Sequence, residues 1–423
     1  MTGRRASGGR VHVVGAGLAG LSAALAAVQR GMLVTMHEAG PAAGGRCRSY
    51  FDREIGLVID NGNHLLLSGN RAAFSYLEAT GAADTLGGPP EPLFPFMDLR
   101  SGERWTLRPN RGRLPWWILA RSRRVPGTST SDYLSLLALR RIADNRSVAQ
   151  ALRPGPLSDR LITPLAIAAL NTPPANGLAR LLGAVVRETL MQGGAACLPR
   201  FPRESLAASL IDPAVAALRA RGAELRFSRR VAALAIEADR VTELHAPDGT
   251  VALGPDDAVI LAVPPWIATA LLPDLTAPTE FEAILNVHFR TDADPGPAGF
   301  FGLVGGIAEW VFVKPGHISV TISAANRIVD QPAEAIAAAV WPDVRTALRL
   351  PETAARPMPP WRVVKERRAT FAATAQQDRL RPGQRTGLRN LALAGDWTQT
   401  GLPATIEGAI RSGCRAIELL LAS

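Results

Sequence analysis

Three clusters in this chain have residue types and spacings able to do chemistry. The first is Gly15-x-Gly17-x-x-Gly20, filled by Ala16, Leu18 and Ala19, with Glu38 beyond it. A glycine turn that opens a helix offers unpaired N–H groups and a positive dipole end, which together hold a phosphate. Gly15 permits the sharp turn, Gly17 the close approach of backbone to pyrophosphate, and Gly20 the packing of helix on strand. A carboxylate about 20 residues on, where Glu38 stands, takes a ribose hydroxyl. This fingerprint predicts a dinucleotide and does not separate FAD from NAD.

The second cluster is Gly44-Gly45-Arg46. Two glycines beside an arginine let backbone and guanidinium reach a pyrophosphate together; the alternative is a loop with a solvated arginine. The third is Gly395-Asp396, followed by Ala404-Thr405-Ile406. An aspartate at a strand end can hydrogen-bond polyol hydroxyls, and a helix N-terminus can face a flavin ring oxygen or a phosphate. An ordinary strand–loop–helix closing the domain is the alternative. Two chain ends acting on one cofactor fit a long ligand such as FAD better than NAD. Asp60-Asn61-Gly62-Asn63-His64 adds an acid–base candidate, although a lone histidine also serves as a structural hydrogen-bonding residue. His64 is one of six histidines.

The elements that position these residues follow from apolar patterning. Residues 11–14 and 33–36 read as buried strands around an Ala/Leu-rich helix. Residues 206–221 read as a helix ended by Gly222, and 257–265 as a buried strand stopped by Pro264-Pro265. Residues 280–325 are β-rich, 334–348 helical, 391–396 a strand entering a turn, and 405–421 a helix. Residues 92–200 are mostly helical in spacing, including 134–142. The class expected is α/β: a discontinuous Rossmann-like cofactor domain (residues 1–85, 200–265 and 361–423) with an interleaved α+β substrate domain (86–199 and 266–360).

Composition bounds the rest. A chain of 423 residues with 47% hydrophobic and 20% charged residues suits two or three globular domains. No apolar run reaches the ~18 residues of a spanning helix. Residues 1–10 are basic and lead straight into the first strand, so no signal peptide is expected. Cys47, Cys197 and Cys414 are scattered, which predicts a reducing cytosol, no disulfide framework and no metal site. The net charge is +10, yet only Lys314 and Lys365 are lysines; arginine dominates alongside Ala, Gly and Pro, as a GC-rich coding bias would give. Basic residues interleaved with stacking aromatics, which nucleic-acid binding requires, are approached only at 111–124. There Trp116 and Trp117 stand among arginines. They read as a membrane-interface contact or as a core segment flanked by solvated charge.

Taken together, VVGAGLAGLSAA, Glu38, Gly-Gly-Arg at 44–46 and LAGDWTQTGLPATIEGAIRSG at 393–413 resemble the flavin amine oxidase and phytoene desaturase superfamily. Within it, DNGNHLLLSGN at 60–70 and GDWTQTGLPATIEGA are most similar to the hydroxysqualene dehydroxylases, also called squalene-associated FAD-dependent desaturases. The resemblance implies FAD, with Gly15, Gly17 and Gly20 under the pyrophosphate and Glu38 on the adenosine ribose. Arg46 with Gly44 and Gly45 would face the pyrophosphate and ribityl chain, and main-chain contacts from Val231 would meet adenine. Asp396 would lie at the ribityl chain, and Ala404, Thr405 and Ile406 at the isoalloxazine end. Gly62 and His64 fall in a segment implied to lie beside the flavin, which makes His64 the candidate acid. Positions 397–404 hold no cysteine, so non-covalent FAD is expected. The implied reaction is removal of a hydroxyl from a hydrophobic isoprenoid by reduced FAD, supplied by an unidentified electron donor. A cytoplasmic enzyme peripheral on the inner membrane would suit such a substrate. Competing readings are a carotenoid-type desaturase, an amine oxidase, for which three tyrosines make a poor aromatic cage, and a non-catalytic FAD-binding subunit.

Overall fold

The computed structural model describes residues 9–139, 142, 144–351 and 357–422. Residues 1–8, and residues 140 and 141 of the helical stretch read over 134–142, lie outside them.

A five-stranded parallel sheet runs in the order Glu224–Arg226, Leu33–His37, Arg10–Val14, Ala258–Leu261, Leu391–Leu393. Val13 registers on Met36 at one side and Ile260 at the other. The central strands are buried, apolar and β-branched, as a parallel sheet covered on both faces demands. The helices Leu18–Val28 and Ile406–Leu421 join this core. They touch backbone to backbone. A Cβ on Gly413 would stand 2.2 Å from the Ala19 carbonyl oxygen. At that approach the Ser22 hydroxyl donates to the Ile410 carbonyl at 2.8 Å. The first and last helices are thereby locked together, and the glycine clusters of both ends meet above the same sheet edge.

The helix read over 206–221 is divided. A π-turn at Ala207–Ile211 runs into an α-helix at Asp212–Ala220. Pro213 has no N–H for the Ser209 carbonyl, so the regular i→i−4 ladder is interrupted there. The same device recurs at Ser158–Ile162 before Thr163–Leu170, where Pro164 is the cause.

A second sheet has seven strands, in the order Trp361–Phe371, Phe281–Phe289, His317–Ile322, Trp310–Lys314, Phe300–Val304, Phe94–Asp98, Arg104–Leu107. Neighbours are antiparallel except the pair Phe300–Val304 and Phe94–Asp98. Trp361 registers on Phe289 and Phe371 on Phe281, which puts residues 361–371 in this sheet, past the boundary read at 361. Alternation gives the sheet two unlike faces. Leu285, Val287, Phe289, Ile318, Val320 and Ile322 pack against helix Ala333–Leu348. Asn286, His288, Ser319 and Thr321, at the intervening positions, point the other way, toward residues 60–64.

Candidate functional site

Gly17 caps helix Leu18–Val28 in extended conformation and brings no side chain to the helix's first N–H groups. A Cβ built on Gly17 meets nothing within 4 Å, so the space over the helix N-terminus is open. Gly44 and Gly45, at φ 122° and 55°, fold the next loop against it, conformations that favour glycine. The Gly44 N–H donates to the Ala16 carbonyl at 2.9 Å, and a Cβ on Gly45 would lie 3.5 Å from the Gly17 Cα. Backbone therefore lines one concave surface from both loops. Glu38 braces the turn: its carboxylate accepts from Ala16 N–H and from Gly40 N–H, each at 2.7 Å.

Arg46 leaves this surface toward the chain's other end. Its guanidinium donates to Asp396 Oδ1 at 2.7 Å and to the Ala369 carbonyl at 2.6 Å. The Asp396 side chain is 7% exposed and the Arg46 side chain 41%, so the arginine borders the open space while its partner is buried. Asp396 is fixed by its neighbours, since Gly395 N–H donates to Ser412 Oγ at 2.8 Å on the last helix. Thr405, following Ala404, caps that helix ahead of Ile406 by accepting from Gly408 N–H at 3.0 Å. Val231 is buried in the segment between strands Glu224–Arg226 and Ala233–Glu237. Burial pushes the Cys47 and Cys197 thiols up to about 12.

The segment 60–64 continues from the Arg46 turn, held by the Asn61 N–H donating to the Arg48 carbonyl at 3.0 Å. It lies on the polar face of the second sheet. Asn286 donates to the Asn61 carbonyl at 2.9 Å, and Thr321 donates to Asn286 Oδ1 at 2.8 Å. Asn63 donates to Ser319 Oγ at 2.7 Å and to Thr321 Oγ1 at 3.0 Å. A Cβ on Gly62 would sit 3.2 Å from the Asn286 amide nitrogen, so the segment rests directly on the sheet. Beyond it His288 Nδ1 and His317 Nε2 are 2.9 Å apart. Burial, together with the nearby Lys314 cation, pushes both imidazoles below their ordinary range.

Lys314 pairs with Asp60 at 3.0 Å, with side chains 10% and 5% exposed. His64 shares a small cavity with this pair, walled by Phe201 and Phe312. Its ring has no hydrogen-bond partner among the described residues. Burial pushes its pKa down to about 4, with Asp60 acting upward and Arg46 downward. Next to the cavity Phe94, Phe201, Phe300, Trp310 and Phe312 form a connected aromatic cluster. The face thus grades from aromatic to polar.

Sequence reasoning missed Asn286, His288, Lys314, His317, Ser319 and Thr321. Their signal was present as polar residues at alternate positions within apolar strands, Asn286-Val-His288 and His317-Ile-Ser-Val-Thr321, but it names no partner strand.

A glycine-lined helix N-terminus, an arginine–aspartate bridge from the opposite chain end and a parallel sheet beneath them define the architecture of a dinucleotide-dependent enzyme. The space over Gly17 is open to a ligand approaching the helix N-terminus. The chain belongs to the flavin containing amine oxidoreductase family, whose sequence profile matches residues 18–421. It is 50% identical over 415 residues to the hydroxysqualene dehydroxylase of Rhodopseudomonas palustris, covering 98% of each chain. It is 48% identical over 412 residues to the hydroxysqualene dehydroxylase of Sinorhizobium fredii, covering 97% of this chain and 98% of that one. An oxidoreductase from Methanosarcina mazei shares the fold at a TM-score of 0.72 and 17% identity, over 97% of this chain and 100% of that one.

Proposed function

We propose that this enzyme reductively removes the hydroxyl of hydroxysqualene, giving squalene and water. The observation that carries the reading is near-full-length identity of 50% and 48% to relatives bearing that activity in their names. The aromatic wall supports it. An allylic cation developing as the carbon–oxygen bond breaks needs a dry pocket and gains from facing aromatic rings. Non-covalent FAD, once reduced by an electron donor still to be identified, supplies the hydride.

The protein's own part is holding and protonating. Gly17, Gly44 and Gly45 receive the pyrophosphate, Glu38 the ribose, Val231 the adenine, and Arg46 with Asp396 the ribityl region. Phe300, Trp310 and Phe312 keep water from the isoprenoid. His64 delivers the proton that the departing hydroxyl takes up, at the border between aromatic and polar faces. Burial favours its neutral imidazole, so the proton it passes on is taken up from solvent, with the nearby Asp60 carboxylate favouring the charged ring. Among the described residues no helix is long and apolar enough to cross a membrane. The proposed setting is the cytoplasmic side of the inner membrane, held peripherally.

Incubating the FAD-loaded protein anaerobically with hydroxysqualene and dithionite tests this. Squalene is the expected product; unchanged substrate, or a polyene with new double bonds, overturns the reading. His64→Ala should abolish squalene formation while FAD stays bound. Near-normal turnover in that variant removes His64 from the chemistry.

A further inference from the structure

The two adjacent tryptophans do not act alike. Trp117 is a core residue, 7% exposed, packed edge-on against Tyr133 with ring centroids 5.2 Å apart. The pair divides between the two readings given for it: the short 3-10 turn Trp116–Leu119 turns one ring in and the other out. Trp116 is 52% exposed, flanked by Leu114 at 81% and Leu119 at 69%. Leu134, at 59%, follows Tyr133 and so emerges beside the same turn. Nine large apolar side chains are exposed among the described residues, and these four of them fall in one short stretch.

The patch is built rather than frayed. Asn110 donates to the Gly112 carbonyl at 3.1 Å and the Leu114 carbonyl at 2.9 Å, and accepts from Trp117 N–H at 3.3 Å. From below, Gly194 N–H donates to the Asn110 carbonyl at 2.9 Å. The backbone therefore holds Leu114, Trp116 and Leu119 outward against their tendency to bury.

Charge says what they face. Residues 104–134 contain seven arginines and one acid, Asp132. Arg108, Arg111, Arg113 and Arg121 are exposed, and the Arg123 guanidinium lies 4.7 Å from the centre of the Trp116 ring. A fixed apolar tip ringed by arginines in large excess over acids matches a bilayer whose headgroups are anionic. The apolar chains enter the acyl boundary, and the arginines stay among the phosphates.

We infer that the turn at residues 114–119, with its arginine collar, docks this protein on anionic lipid bilayers. Vesicle flotation of the FAD-loaded full chain, without substrate, tests this apart from the proposed reaction. Wild-type protein should float with phosphatidylcholine vesicles containing phosphatidylglycerol, and far less with phosphatidylcholine alone or at high salt. The variant Leu114→Ser/Trp116→Ser/Leu119→Ser should lose at least ~tenfold in partitioning while keeping its flavin absorbance. Arg113→Gln/Arg121→Gln should lose several-fold, on the anionic vesicles alone. Equal flotation of the apolar variant and wild type overturns the assignment, as does wild-type protein that floats on neither vesicle. A dimer in sedimentation that the apolar variant dissociates, with flotation unchanged, overturns it in favour of a second copy of this chain.

Discussion

The two large sheets treat their polar groups in opposite ways. Above the five-stranded parallel sheet, the surface proposed to receive the cofactor is mostly backbone. Gly17, Gly44 and Gly45 contribute no side chains, and each Glu38 oxygen accepts from one main-chain N–H group, with a lone pair left for a ribose hydroxyl. On the seven-stranded sheet the polar surface is mostly side chain, a network from the Asn61 carbonyl through Asn286 and Thr321 to Asn63, Ser319 and His288. The first surface can fail through one added methyl group. The second fails through one unpaired charge or amide.

The most damaging change to the backbone surface is Gly17→Val. No protein atom lies within 4 Å of the new Cβ, so the fold should survive, while the side chain fills the pyrophosphate space. Purified variant should carry no flavin absorbance, with an affinity loss of roughly a hundredfold or more. A yellow Gly17→Val protein breaks the assignment of that surface. On the side-chain surface the counterpart is Lys314→Met. It strands a buried Asp60 carboxylate, whose other oxygen accepts from Ser49 Oγ at 2.7 Å and Leu206 N–H at 2.8 Å. Breaking a buried pair in this way costs about 3–5 kcal/mol, to be read as a lowered denaturation midpoint. The double variant Lys314→Met/Asp60→Asn should recover part of it. Flavin content should hardly change, which separates the two surfaces.

A milder change tests the seam between them. Arg46 joins both by bonding Asp396 and the Ala369 carbonyl. Arg46→Ala should weaken FAD about tenfold, the worth of ~1.4 kcal/mol. Arg46→Lys should rescue little, because an ammonium cannot span both acceptors as a planar fork does. Full rescue by lysine would make the residue a simple counter-charge.

Why the geometry of the glycine end was legible in the sequence, and the polar face was not, follows from the same contrast. Gly15, Gly17, Gly20 and Glu38 lie within one strand–helix–strand unit, so their spacing alone fixes their geometry. Arg46 and Asp396 are 350 positions apart, yet each sits at a strand-to-loop exit whose local pattern marks it. The polar face has no such contiguity. It exists only after Phe281–Phe289 pairs with His317–Ile322 and residues 60–64 come to rest on both. Register between distant strands is a tertiary property, and no local spacing announces it. The two readings of Trp116 and Trp117 stayed open for a related reason. Two neighbouring tryptophans look equivalent until a 3-10 turn and Tyr133 separate them. The prolines at 164 and 213 were visible, but not how a π-turn would absorb each.

Each sheet also buries a histidine pair, and acid should tell them apart. His12 Nδ1 lies 3.2 Å from His37 Nε2 in the parallel sheet, and His288 Nδ1 lies 2.9 Å from His317 Nε2 in the antiparallel one. Burial holds all four imidazoles below the ordinary value of 6.5. Where folded pKa values are depressed, the unfolded chain binds more protons in the interval between the two states. Stability is then full above about 6.5 and declines as pH falls toward the folded values. Glu309 opposes this limb. Burial raises it to about 7, so its contribution is present below 4.5 and is lost as pH rises through 7. The two pairs differ in their neighbours. Asp257 pulls His12 upward against Arg10 and Arg226, and Arg226 and Arg229 push His37 down; Lys314 pushes His288 and His317 down, with Asp60 acting upward on His317. Burial pushes His288 down to about 3, so the seven-stranded sheet should carry more of the acid sensitivity. Melting curves near neutrality and at about pH 5 should show His288→Asn/His317→Asn flattening the acid loss by on the order of 1 kcal/mol. His12→Asn/His37→Asn should flatten it less. Equal flattening by both variants would mean that the lower position of His288 does not set the response.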